Sequence, residues 1–306
     1  MNKLNSKENF LGFFLGVIGY TIIVLVDSII KLKIVANYPV IQISFFICTG
    51  AFMPILTTIF FLKQWNILIN NKIYLQLLHG VFGLIHGSLI IYSLKFHSLI
   101  EIYPILFSTP LILTICAYLF LKEKIGLEKL LIVSVGFLGV LFVARPGTIH
   151  FTFPLFGLFI AAIIQAIRVL VIRHSKDQSS LAFTFYGCLS AFIISGLISI
   201  QNYTIIPKAD LTIIIMCGSI AGLGGLCFAL ASKLLESSLF APIQYIQIVV
   251  GFLMGYIFFG DLPDTYEFIG SVIIMLSGLF VIYRGNEVQI SSILKKNTKI
   301  KDMFFR

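Results

Sequence analysis

Lys95–Gly147 reads KFHSLIEIYPILFSTPLILTICAYLFLKEKIGLEKLLIVSVGFLGVLFVARPG, and from it the architecture can be worked outward. It holds two apolar runs, at 98–121 and 127–145, parted by Lys122-Glu123-Lys124 and closed by Arg145-Pro146-Gly147. About 20 apolar residues is the length at which a helix crosses a bilayer. The arrangement returns at Ser238–Arg284, SLFAPIQYIQIVVGFLMGYIFFGDLPDTYEFIGSVIIMLSGLFVIYR. Again two runs flank a short acidic turn, Asp261-Leu262-Pro263-Asp264.

The likeness extends upstream at a nearly constant offset. At 138 residues Gly80 matches Gly218, Gly87 matches Gly225, Lys95 matches Lys233, Pro104 matches Pro242 and Glu123 matches Asp261. With a slip of one residue, Glu128 matches Glu267, Gly139 matches Gly278 and Arg145 matches Arg284. An ordered series of Gly, Lys, Pro, acid and Arg is hard to obtain by chance, so the chain reads as a duplication. The units are 10–147 and 153–285, followed by a polar, basic tail at 286–306. Each unit holds five apolar runs. With an odd number the second copy enters the membrane from the opposite side, as in the inverted repeats of secondary transporters.

Composition agrees. Of 306 residues, 58% are hydrophobic and 11% charged, with a mean hydropathy of +1.02. Soluble domains carry roughly 25% charged residues, so too few charges are present to cover a water-facing surface. The ten predicted helices are 10–32, 39–62, 74–94, 98–121, 127–145, 153–174, 181–201, 210–232, 237–260 and 265–284. The fold class is therefore an all-α membrane protein of ten transmembrane helices in two inverted five-helix repeats, and no strand is needed. The five cysteines fall inside apolar runs without a CxxC pair, which points to neither a disulfide framework nor a metal site.

A net charge of +9 raises nucleic acid as a partner, but its placement argues for a membrane. Counting Lys and Arg in alternate loops gives 16 on one side against 5 on the other, with Arg168 set aside inside helix 6. The positive-inside rule then puts both termini in the cytoplasm. No basic cluster interleaves with aromatics as a nucleic-acid surface does. The tail reads as a cytoplasmic surface segment able to meet anionic lipid.

The two quoted stretches resemble the conserved end of the EamA-type repeat of the drug/metabolite transporter superfamily. The shared elements are a proline-bearing helix, an acid after the "fLkE" or "fGD" turn, and a final helix with Gly-x-x-Gly or Ser-Gly. Asp27-Ser28 with Lys31 in helix 1 resembles that family's acid-to-lysine signature. The resemblance spans about 10–285. It implies a bacterial inner-membrane carrier with a cavity between the halves, for amino acids, nucleotide-like metabolites, vitamins or drugs. Two arginines often found in the family are replaced, by Phe46-Ile47-Cys48 in helix 2 and by His79 opening helix 3.

Ionisable groups within a span are costly unless they face a partner or a cavity. Helix 1 places Tyr20, Val24, Asp27, Ser28 and Lys31 on one stripe. Gln165 is the repeat equivalent of Asp27, with Arg168 one turn on. Two readings stand: Asp27, Gln165 and Arg168 contact substrate or a coupling proton, or Asp27 pairs with Lys31 or Arg168 as a structural lock. His86 in helix 3 is either a proton relay or a hydrogen-bonded packing residue. Gln244, Tyr245 and Gln247 in helix 9 are candidate substrate contacts, the two glutamines one turn apart. Glu101 is expected to pair with Lys95, Glu123 and Asp261 to cap the helices that follow, Gly80 and Gly87 of helix 3 to pack, and Gly222, Gly224 and Gly225 of helix 8 to set packing or flexibility.

No nucleotide-binding P-loop is present, so a gradient or exchange supplies the energy, with a proton or a second solute as coupling partner. No cofactor is called for. An intramembrane enzyme would need a nucleophile with its base, paired aspartates or clustered ligands, and the sequence offers none of these patterns. The expected function is alternating-access transport of a small organic metabolite. Amino-acid or metabolite efflux fits the resemblance, as does uptake of a vitamin or cofactor such as riboflavin or S-adenosylmethionine. A channel or lipid-carrier flippase of the same fold is the alternative, and the oligomeric state is left open.

Overall fold

A computed structural model describes residues 3–61, 63, 65–69, 72–109, 111–112, 115–116, 127–145, 152–175, 178–235, 243–244, 246–277 and 280. Ten α-helices are labelled in chain order: α1 Lys3–Lys33, α2 Val40–Phe61, α3 Ile73–Leu94, α4 Leu99–Leu106, α5 Leu127–Ala144, α6 Phe153–His174, α7 Ser180–Ser199, α8 Lys208–Leu234, α9 Ile246–Phe259 and α10 Thr265–Ser277. Among the described residues there is no strand. Among the described residues six helices are long and apolar enough to cross a bilayer: α1, α2, α3, α6, α7 and α8, the first three of each half. Their outer faces stay apolar, with Phe60, Ile163, Leu197 and Met216 exposed. A surface of this kind is stable against lipid and not against water. The chain is a multi-pass membrane protein.

Polar side chains within the helices largely satisfy themselves. Ser28, Ser44, Thr49, Ser93 and Ser195 each donate to the carbonyl four residues back, at 2.6–3.0 Å. Such back-bonding hides a hydroxyl in an apolar setting. Helix α4 ends at Leu106 with Phe107 as its C-cap. Beyond it the Ser108 hydroxyl donates to Ile105 O at 2.8 Å and the Thr109 hydroxyl to Leu106 O at 2.7 Å, covering carbonyls freed at the helix end.

Close helix contacts rest on glycine. A Cβ on Gly80 of α3 would fall 2.6 Å from Gly187 Cα of α7. On Gly218 of α8 it would sit 2.9 Å from Ile47 Cα of α2. These equivalent glycines let backbones touch. Gly87 and Gly225 do not: a Cβ on Gly87 meets nothing within 4 Å, and on Gly225 only Thr184 Cγ2 at 4.0 Å. The expected packing role holds for Gly80 and is corrected for Gly87, which faces open space; Gly225, for which packing or flexibility was open, does not pack closely either.

Contacts between the halves have a regular pattern. The packing of α1 on α8, α1 on α9 and α2 on α8 is matched by α6 on α3, α6 on α4 and α7 on α3. Helices α2 and α7 run antiparallel, with Phe45 stacked on Phe192 at 5.0 Å and Phe52 against Phe185 at 5.9 Å. Helices α4 and α9 also run antiparallel, Ile100 lying by Gly255 and Tyr103 by Gly251.

One end of the bundle is tied by polar contacts. Tyr38 donates to Asp210 at 2.5 Å, Gln42 donates to Thr204 O at 2.7 Å, and Lys31 donates to Leu94 O and His97 O at 2.9 and 2.6 Å. Glu101 bonds His97 and closes a capping box with Ser98, so the expected Lys95 pairing is replaced by nearer partners. Arg145 clasps Asp264 and lies over the Tyr266 ring. The cap of α10 is likewise Asp264, whose carboxylate accepts from Glu267 N at 2.8 Å while Glu267 accepts from Asp264 N. Asp261 instead follows the left-handed Gly260, its amide donating to Gly255 O as α9 ends. Glu123, the other expected cap, and the 286–306 tail lie outside the described residues.

Candidate functional site

The six long helices surround a cavity of about 330 Å³. Each contributes to its wall, among them Ile23 of α1, Cys48 of α2, Gly87 of α3, Arg168 of α6, Thr184 of α7 and Gly225 of α8. Three helices come from each half, so the space lies between the halves. Its volume is at the lower end of the range for small-molecule sites, and its wall is mainly apolar, as such sites are.

The polar focus is Arg168. Its Nη1 donates to Gln165 Oε1 at 2.7 Å, and its Nη2 donates to His79 Nε2 at 3.2 Å. Gln165 is one turn earlier on α6, so helical spacing alone brings the pair together. His79 comes from α3, which packs antiparallel on α6. Gly83 gives the guanidinium room: a Cβ there would lie 3.2 Å from Nη2 and 3.4 Å from Cζ.

The other expected site residues lie apart from this group. Asp27 accepts a hydrogen bond from the buried Tyr103 hydroxyl of α4 at 2.9 Å. Its partner is therefore neither Lys31, which holds the carbonyls past α3, nor Arg168. His86 Nδ1 meets Ala161 O at 3.0 Å, a link between α3 and α6. Gln247 is buried in α9 and Gln244 is half-buried just before it. Neither glutamine, nor Asp27, Gln165 or His86, is in the cavity wall. Tyr245 lies outside the described residues. His79, singled out from the sequence only as standing where the family often has arginine, is part of this group, and Tyr103 is a partner that the sequence pattern does not mark. The signal for His79 was its place one turn before Gly83 on the stripe that faces Arg168.

An all-helical, multi-pass protein with a small-molecule cavity shared between its halves has the build of a membrane carrier. The chain belongs to the EamA-like transporter family, whose description matches residues 10–145 and 152–284. It is 25% identical over 222 residues to the S-adenosylmethionine uptake transporter of Rickettsia felis, covering 71% of this chain and 74% of that one. To the riboflavin transporter of Vibrio cholerae it is 23% identical over 180 residues, 58% of this chain and 60% of the other. A protein of known crystal structure shares the fold with a TM-score of 0.65 at 13% identity, over 90% of this chain and 96% of that one. The chain is thus a secondary transporter of small metabolites, not an enzyme.

Proposed function

We propose that the protein moves a small organic metabolite across the bacterial inner membrane by alternating access, with 10–147 and 153–285 acting as inverted repeats. The observation that carries this reading is the cavity between the halves, walled by three helices from each. The swapped contact pattern and the antiparallel packing of α2 on α7 and α4 on α9 support the inverted arrangement. So does the family match, which divides at the same place as the internal repeat. Under this reading the polar contacts from Tyr38 to Asp264 close the outer end, and both termini are cytoplasmic.

Substrate contact is assigned to Arg168, with Gln165 positioning it. Asp27, held by Tyr103 between α1 and α4, is the group for a coupling proton. His86, Gln244 and Gln247 are secondary groups behind the wall, and Tyr245 is kept as a candidate contact from the sequence alone. Uptake of a cofactor or vitamin is favoured over efflux by the relatives, whose named solutes are S-adenosylmethionine and riboflavin.

The test is counterflow in proteoliposomes with a metabolite panel containing both of those solutes. The expected result is uptake stimulated by the same solute inside, lost in Asp27→Asn and Arg168→Gln. Flux without exchange stimulation would sink alternating access in favour of a channel. A C-terminal reporter active only outside the cell would refute the orientation.

A further inference from the structure

Arg168 is the only charged side chain among the described residues of the cavity wall, and it forms no ion pair among them. Both of its acceptors, Gln165 Oε1 and His79 Nε2, are neutral. A guanidinium only donates, so His79 Nε2 must accept, and the imidazole proton is assigned to Nδ1. His79 Nδ1 and Arg168 Nε are then two buried donors without a partner. Neutral acceptors satisfy hydrogen bonds but leave the charge in place, and an uncompensated cation away from water is expensive. Asp27 forms no ion pair with Arg168; the hydrogen bond its carboxylate accepts comes from Tyr103.

The rest of the wall selects by size and polarity. Gly83, Gly87 and Gly225 keep it open, and Ile23, Ala221 and Phe228 make it apolar. A ligand that completes this site brings one negative charge on acceptors matching a guanidinium, with an apolar remainder. A planar carboxylate fits, because two parallel N–H groups can be met by two oxygens. A phosphate monoester dianion does not fit, because a single guanidinium would leave a net negative charge in the same apolar space.

We infer that the carried metabolite bears a carboxylate that docks on Arg168, and that solutes without one are rejected. This rests on the cavity being the transport site. Of the solutes named for the relatives, riboflavin has no carboxylate and is excluded, whereas S-adenosylmethionine has one but adds an ammonium and a sulfonium that this wall does not neutralise.

Proteoliposomes of the full chain, loaded with a cell metabolite extract, provide the test. Solutes that exchange are identified by mass spectrometry in wild type, Arg168→Gln and Arg168→Lys. Every exchanging solute is expected to carry a carboxylate, and its amide analogue to exchange about 10- to 100-fold less, the worth of one charged hydrogen bond. Arg168→Gln should lose exchange by a similar factor and Arg168→Lys should retain part of it. Exchange of riboflavin or another carboxylate-free solute, or unchanged exchange in Arg168→Gln, overturns the inference and leaves the transport reading intact. If folded wild type exchanges nothing, the transport reading fails and this inference with it. Should both variants misfold, the acid-against-amide comparison on wild type decides.

Discussion

Two glycines on one helix should respond oppositely to the same added methyl group. On α3, a Cβ at Gly80 would lie 2.6 Å from Gly187 Cα, with Ser190 Oγ and Gly187 O closer still. Carbon atoms pack at about 3.5–4.0 Å, so α3 and α7 must part by about 1 Å. Overpacking of this kind costs about 1–3 kcal/mol. The Ser190 hydroxyl also donates to Leu77 O at 3.0 Å, a bond worth about 1 kcal/mol that the separation strains. Against this, alanine gains up to about 1 kcal/mol of helix propensity. Gly80→Ala is therefore expected to destabilise by about 1–3 kcal/mol. Two turns on, a Cβ at Gly87 meets nothing within 4 Å, so Gly87→Ala keeps the propensity gain and should be neutral or stabilising. Thermal unfolding of the detergent-solubilised protein reads the difference, as a midpoint lowered by several degrees for Gly80→Ala alone. Transport reads the other half of the argument. Removing a buried leucine side chain leaves a void on the order of 150 Å³, so Gly87→Leu would fill nearly half of the 330 Å³ cavity. It should fold and carry solute poorly. Equal stability of Gly80→Ala and Gly87→Ala, or full transport by Gly87→Leu, would refute the assignment of one glycine to packing and the other to the cavity.

Three further outcomes can be checked. Gly83→Ala puts a methyl 3.2 Å from Arg168 Nη2; a displacement of a few tenths of an ångström should lower transport roughly several-fold with the folded fraction unchanged, and normal transport would show that the guanidinium position does not matter. Tyr103→Phe leaves the Asp27 carboxylate without its donor and should destabilise by about 1–3 kcal/mol, an effect that should vanish when Asp27→Leu is already present. Burial would raise the Asp264 carboxyl, but the hydrogen bonds from Arg145 and from backbone amides at the start of α10 outweigh it and hold its pKa below the ordinary value. A lowered folded pKa stabilises above the unfolded value and is lost as pH falls through the folded one. The midpoint gap between wild type and Asp264→Asn should thus be level above about pH 5 and close toward about pH 3; a gap that widens on acidification would contradict the clasp.

What the sequence made legible was whatever depends on spacing along one helix. The long apolar runs became α1, α2, α3, α6, α7 and α8 within a few residues of their expected limits, apart from an earlier start to α1. The Gln165–Arg168 pair follows from one helical turn. What stayed hidden depends on which helix lies opposite. Asp27 was weighed against Lys31 and Arg168 because both are near in sequence pattern, yet Tyr103 reaches it from α4. Glu101 was paired with Lys95 on charge, but Ser98 and His97 are closer and already oriented by the helix start. Asp261 was read as a cap by position in the repeat, whereas Gly260 turns the chain and moves that task to Asp264. Glycines gave the same signal in both of their roles, since periodicity records a face and not what the face meets.

The division of labour between the two copies is itself informative. Gly80 and Gly218 serve alike, as do Gly87 and Gly225, so the skeleton that lets helices approach and leaves space open is symmetric. The recognition groups are not. At the 138-residue offset Arg168 corresponds to Ile30, His79 to Cys217 and Gly83 to Ala221, and both Ile30 and Cys217 are buried apolar residues. Glycine is thus present where a guanidinium must be accommodated and alanine where it need not be. If the two copies exchange conformations as proposed, symmetric packing gives both end states similar internal contacts. An asymmetric wall keeps Arg168 on α6 in both, so the same group of the solute would be held before and after the exchange. A symmetric wall would instead present two equivalent docking points, and a solute bound to one could pass between them. The replacement of Arg168 and His79 by Ile30 and Cys217 in the other copy is therefore what a carrier with a single substrate orientation requires.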